Sequence, residues 1–172
     1  MDIIRERRSI RKFKTTDISP EDVHSILDAA MHAPSAGNQR AWHFIVFRNE
    51  ETKKKLAQTG PNARFAAECP VVILVCGDIS RETHKDYWPV DCAAAVQNML
   101  LEATARGLGS LWLGVYPRQE RIDYLSQNLQ LPKNIVPFAL VCFGYAADHP
   151  AKRGFYDPAL VSFEGWDKQT IH

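Results

Sequence analysis

The sequence predicts one domain over residues 1–172 that mixes helices with a buried sheet and is not a doubly wound dinucleotide fold. Two continuous apolar runs of strand length, "VVILVC" at 71–76 and "FALVCFG" at 138–144, read as central strands covered on both faces. Two longer segments carry helical patterning. The glycine-rich stretch "GLGSLWLG" follows a helix and precedes a strand, so the turn that a dinucleotide fold places directly after its first strand is missing.

The elements follow in order. Ser19 and Pro20 supply an N-cap and a first-turn proline, and Val23, Ile26, Leu27, Ala30 and Met31 then recur at helical spacing. This helix stops by His32 or Ala33, because Pro34 disfavours helical geometry in the residue before it. Residues 42 to 47 are aromatic and β-branched, as a strand requires. "NEETKKKLAQTG" reads as a short polar helix ending at Gly60. "DCAAAVQNMLLEATARG", 91–107, is a helix with apolar residues around its circumference, closed by Gly107 and fit for a core or a subunit interface. "LGSLWLGVYP" gives a short strand ending before Pro117, and "ALVSF" at 159–163 is a further strand with no evident partner in the chain.

Composition excludes several classes. Apolar residues make up 45% and charged residues 24%, which fits a soluble globular chain and neither a disordered nor a fibrous one. A net charge of +1 gives no overall pull toward nucleic acid. The longest apolar run is far too short for a membrane span, and "MDIIRERR" lacks the apolar stretch of a signal peptide, so a cytoplasmic protein is expected. Cys69, Cys76, Cys92 and Cys142 show no C-x-x-C spacing and read as buried thiols. The histidines form no ligand motif, and no protein-bound metal is expected.

Three stretches carry chemistry. In "RERRSIRKFK", 5–14, six cations face one carboxylate. If the segment is extended, Arg7, Ser9 and Arg11 share a face that suits an oxyanion; a solvated basic arm, or one that binds RNA, is the alternative. In "APSAGNQRAWHF", 33–44, Gly37 permits a tight path and the amides of Asn38 and Gln39 can donate and accept, as a planar heterocycle would need. A plain loop satisfying its own backbone is the alternative. "GLGSLWLG" offers small residues for close approach with Trp112 and Leu113 as apolar cover, or simply a core strand. Lys152 and Arg153 form a late cation pair.

Taken together, "RRSIRKF", "APSAGNQRAWHFIV", "VDCAAAVQNMLLEATARGLGSLWLG" and "PAKR", in this order, resemble the FMN-dependent nitroreductase family over nearly the whole chain. The resemblance implies an α+β fold with a mainly antiparallel sheet wrapped by helices, and an intertwined homodimer in which the C-terminal strand joins the other subunit's sheet. It implies one FMN per cleft between subunits. Arg7, Arg8, Ser9 and Arg11 look like the first FMN-binding segment, with Arg11 tuning the flavin. Pro34, Ser35 and Asn38 resemble a second segment contributed by the neighbouring subunit. Trp112, Leu113 and Gly114 match the stretch beside the ring system, and Lys152 or Arg153 matches a late phosphate-binding cation. The implied activity is hydride transfer from NADH or NADPH to FMN N5 and then to an oxidised acceptor such as a nitroaromatic or quinone, in ping-pong order, with no protein residue acting as catalyst. Dehalogenation or substrate dehydrogenation on the same scaffold, and a non-catalytic flavin- or nucleic-acid-binding module, are the alternatives. The sequence departs from a common form of the second motif at Arg40 and Ala41, where glutamine and proline are frequent.

Overall fold

The computed structural model describes residues 2–151, 154 and 156–166. Its frame is a four-stranded antiparallel sheet of β1 (Trp42–Phe47), β2 (Val71–Asp78), β3 (Gly109–Gly114) and β4 (Ile135–Gly144), in the spatial order β1-β2-β4-β3. The two apolar runs are the two central strands, and the reason is visible in their alternation. Val71, Ile73 and Val75 of β2 point into one core and Val72, Leu74 and Cys76 into the other. With helices on both faces, neither side of these strands meets water, so neither needs polar residues.

The first core is roofed by α2 (Pro20–Met31) and α4 (Trp88–Ala105); the second by α3 (Glu50–Leu56) and α5 (Gln119–Asn128). Helix α2 begins as expected: the Ser19 hydroxyl accepts from the Asp22 backbone N–H at 3.0 Å and donates to the Asp22 carboxylate at 2.8 Å. Arg106, just past α4, adds a 2.8 Å ion pair to the same carboxylate and joins the two helices. The Ser19 hydrogen bond and Arg106 together hold the Asp22 carboxyl below its usual range. A carboxyl depressed by folding stabilises above its unfolded pKa and loses that contribution as pH falls through the folded value. Asp22→Asn is therefore expected to be less stable than the parent at pH 7. When urea midpoints are compared across pH, the gap should begin to narrow below about pH 4, the ordinary carboxyl range, and close only once the pH has fallen through the lowered folded value, where the parent carboxyl is protonated as well.

Several boundaries differ from the sequence expectation. Helix α3 ends at Leu56, short of Gly60, because the Thr59 side chain and backbone N–H both take the Leu56 carbonyl, at 2.7 and 3.1 Å. Helix α4 starts three residues early, with Pro89 in its first turn, and closes as expected on Gly107 at φ +72°. Helix α5 and a one-turn α1 (Ile3–Glu6), capped by Asp2, were not foreseen. The tail segment 159–163 opens as a 3-10 turn, Pro158–Leu160: Pro158 and the Asp157 carboxylate, which accepts from Ala159 N–H, favour a turn over a strand. Among the described residues it pairs with no strand of its own chain.

All four cysteines are free and buried. Burial pushes the Cys76 thiol up to about 12 and drives Cys92 and Cys142 upward as well. Since the thiolate is the reactive form, native protein is expected to resist thiol-directed reagents for hours, while denatured protein reports four thiols. No described helix is long and apolar enough to cross a membrane.

Candidate functional site at the β3 edge

The basic segment is extended where it matters. Ser9 bridges Ser110 on the free edge of β3, and Ile10 N–H donates to the Ser110 carbonyl at 2.9 Å. Ile10 is buried against Gly109. The alternation that buries Ile10 turns Ser9 and Arg11 the other way. Arg7, Arg8, Ser9 and Arg11, together with Pro150 and Ala151, line one recess of about 250 Å³. Arg8 is drawn inward: its Nε donates to the Ala151 carbonyl at 3.2 Å and its Nη1 to the Arg7 carbonyl, so it fastens the tail to this segment. Arg7 and Arg11 form no ion pair among the described residues. Lys152 and Arg153, expected at the same recess, lie outside the described residues.

A second cavity, of about 230 Å³, adjoins the first through Arg11. Trp112, Leu113 and Gly114 of β3 form one wall, and Asn62, Phe65 and Arg121 another. Trp112 itself packs against Phe138 of the first core at 5.9 Å between ring centroids, and Tyr116 stacks on the same ring at 6.2 Å. The Phe138 carbonyl accepts from both Val115 and Tyr116 N–H, at 3.2 and 3.0 Å, which fixes the end of β3. Among the described residues nothing requires glycine at 114: its φ lies outside the left-handed region, and an added Cβ would meet none of their atoms within 4 Å beyond its chain neighbours. Gly77 shows the contrast, since a Cβ there would lie 2.2 Å from the Trp88 ring. The space over Gly114 is open, as it is where a ligand or another backbone approaches closely.

The loop at 33–41 lies elsewhere. It leads into β1, the opposite edge of the sheet, three strand spacings or roughly 14 Å from β3. Within one chain, Pro34, Ser35 and Asn38 therefore do not meet Arg11 or Trp112. The loop is nonetheless built rigidly. Asp91, 2% exposed in the first turn of α4, accepts from Ala36 N–H at 2.9 Å and from Gln39 Nε2 at 2.7 Å. The Gln39 carbonyl accepts from Thr83 and His84 N–H at 2.9 and 2.8 Å. Gln39 is thus a buried strut, contrary to its reading as an exposed amide for a ligand. Gly37, at φ +52°, lies directly under the His84 ring. Arg40, the departure from the common motif, donates through Nε to the Asn38 side-chain oxygen at 3.0 Å, which leaves the Asn38 NH₂ facing outward. Pro34 and Asn38 are exposed.

Among the cavity residues that escaped the sequence reading are Asn62, Phe65 and Arg121. Asn62 follows a turn, Phe65 sits in a 3-10 segment and Arg121 lies on a helix that was not foreseen. Nothing local marks them; only the fold brings 60–65 and α5 to β3. The whole forms a cationic recess that shares one arginine with a cavity lined by Phe65, Trp112 and an open glycine. It fits a ligand with an anionic end and a planar end. Among the described residues no cluster of histidine, cysteine or carboxylate could hold a metal ion.

The comparisons point the same way. The model of the nitroreductase family matches residues 4–60 and 57–145. A protein of Archaeoglobus fulgidus, named as a candidate NADH dehydrogenase/NAD(P)H nitroreductase, is 44% identical over 95% of this chain and 97% of its own length. One of the same name from Methanothermobacter thermautotrophicus is 40% identical over 96% of this chain and 87% of its own. The crystal structure of a candidate nitroreductase from Desulfovibrio desulfuricans, in complex with FMN, superposes with a TM-score of 0.84 at 31% identity, covering 95% of each chain. The α+β architecture, the ordered motifs and the spread of the match from Ile4 to Tyr145 agree: the chain belongs to the nitroreductase family.

Proposed function

We propose that this chain is an FMN-dependent NAD(P)H oxidoreductase that works as a homodimer. Residues 1–172 act as one FMN-binding domain, in the cytoplasm. The observation that carries the reading is the continuity of the cationic recess and the cavity beside β3 through Arg11. When bound, FMN would supply the hydride-transfer chemistry between NADH or NADPH and an oxidised acceptor such as a nitroaromatic or quinone, in ping-pong order.

The chain's own residues bind, orient and polarise. Arg7 and the Ser9 hydroxyl hold the phosphate, since a planar guanidinium and a neutral donor match its oxygens. Arg8 keeps Ala151 against this recess. Lys152 or Arg153, next in sequence, is assigned to the same phosphate on the resemblance alone. Arg11 sets a positive charge between the recess and the cavity, where it favours the anionic form that the cofactor takes on reduction. Leu113 and Trp112 give apolar cover, and Gly114 lets the ring system approach the backbone.

Pro34, Ser35 and Asn38 complete the cleft of a second copy of the chain. Two features support this. The loop is braced by the buried Asp91 and Gln39 although it reaches no cavity shared with Arg11 in its own chain. Helix α4 also leaves Val90 62% exposed beside the exposed Tyr87, an apolar surface that a partner would cover.

The deciding experiment is purification followed by anaerobic titration. About one flavin per chain, bleached by NADH or NADPH and recoloured by a quinone, is expected from a particle of twice the chain mass. A monomer that takes up no added FMN overturns the proposal.

A further inference from the structure

The cavity beside β3 holds two cations and no countercharge. Arg11 and Arg121 both line it, and among the described residues no aspartate or glutamate does. Arg121, in the first turn of α5, donates one hydrogen bond through Nη1 to the Gly114 carbonyl at 2.7 Å, and its Nε lies 3.0 Å from where a Cβ on Gly60 would be. That contact anchors the guanidinium at the wall without neutralising it. Among the described residues Arg121 has no carboxylate within ion-pair distance, and neither has Arg11. The other charged pairs of this chain show the alternative, since Arg48, Lys54 and Arg106 each hold a carboxylate. An arginine left half-buried and uncompensated in a ligand-sized cavity keeps most of its donors for an incoming group.

We propose that the site selects oxidised acceptors that carry an anionic group, a carboxylate or sulfonate, and that Arg121 is the residue that reads it. This rests on the oxidoreductase reading and assigns its substrate class. Arg11 serves the flavin, which leaves Arg121 as the free cation facing the second substrate. The planar fork that grips Gly114 with one nitrogen presents the others to a carboxylate, and a charge-assisted pair in a partly dry cavity discriminates better than one in open water. An aliphatic or neutral aromatic acceptor gains nothing from it.

The test uses flavin-loaded protein, reduced anaerobically and then mixed with 4-nitrobenzoate or 4-nitrobenzamide, two acceptors of nearly the same shape that differ in charge. Rates are divided by those of free reduced FMN with the same compounds, which removes intrinsic reactivity. The expected result is a corrected preference for the carboxylate of about tenfold in kcat/KM, carried by KM, as one charged hydrogen bond supplies. The preference should shrink as salt is raised. In Arg121→Gln it should fall to about one, and in Arg121→Lys, which keeps charge without the fork, to an intermediate value. Bound flavin per chain normalises each variant. A wild-type preference of one, or a preference that survives in Arg121→Gln, overturns the inference while flavin binding and bleaching still uphold the oxidoreductase. If Arg121→Gln instead slows reduction by NADH and leaves the acceptor ratio intact, the arginine serves the nicotinamide and the inference is wrong. A protein that takes up no flavin defeats the underlying reading itself.

Discussion

Replacing Gly114 with valine is expected to leave the protein folded and to weaken FMN binding about 10- to 100-fold, the cost of forcing extra methyl groups into a space that a ligand must fill. The two halves of this result come from one observation. Among the described residues an added Cβ at Gly114 meets no atom within 4 Å beyond its chain neighbours, and the backbone there is not left-handed, so the fold has no objection to a side chain. Position 114 ends a strand, where a β-branched residue is at least as welcome as glycine, so thermal stability of the apoprotein should hold or rise slightly. The cavity loses what the strand does not. Flavin fluorescence on titration of apoprotein measures the affinity, and a melting curve of the same sample checks the fold. Unchanged affinity would mean that the clearing over Gly114 serves no ligand.

Much of the frame was legible because its signals are local. Ser19, Pro20 and the spacing from Val23 to Met31 define α2 without reference to anything else. The runs in β2 and β4 read as buried strands by their length and β-branched content, with no alternation to give them a wet face. Helix α5 escaped for the opposite reason. "QERIDYLSQN" is polar on most of its surface and buries deeply only Ile122 and Leu125, so its helical state is set by docking on the second core. In the tail, Ala159 to Phe163 has strand-like composition, while Asp157 and Pro158 impose a turn at its start, and Val161 returns to extended backbone.

The site divides along the same line. Arg7, Ser9 and Arg11 could be grouped from a period of two, and the structure does bring them to one recess. Their meeting with Trp112, Leu113 and Gly114 needs the bridge from Ser9 to Ser110, a pairing between segments about a hundred residues apart. Asn62 and Arg121 enter the cavity only through tertiary packing. Gln39 was misjudged because an amide in a short polar loop looks the same whether it faces a ligand or a buried carboxylate.

That carboxylate supports the second large prediction: Asp91→Asn should be nearly as damaging as Asp91→Ala, and each should destabilise the protein by about 3 kcal/mol, the cost of leaving buried polar groups unpaired. The isosteric change is the informative one. Thr83 and His84 both donate backbone N–H to the Gln39 side-chain oxygen, and this fixes which end of the amide points where. The Gln39 NH₂ must then donate to position 91, while Ala36 N–H donates to the other oxygen of the same side chain. Position 91 consequently needs two acceptors, which a carboxylate has and an amide lacks. Turning Gln39 over to accommodate an asparagine would aim its NH₂ at two further N–H groups, so no arrangement of the two amides satisfies every donor. The strain falls on residues 36 to 39, which carry Asn38, and the variant should lose flavin affinity more steeply than stability as denaturant is raised. Unfolding midpoints of the two variants decide the matter: if asparagine restores parental stability, the network is held by shape and not by the two negative oxygens of Asp91.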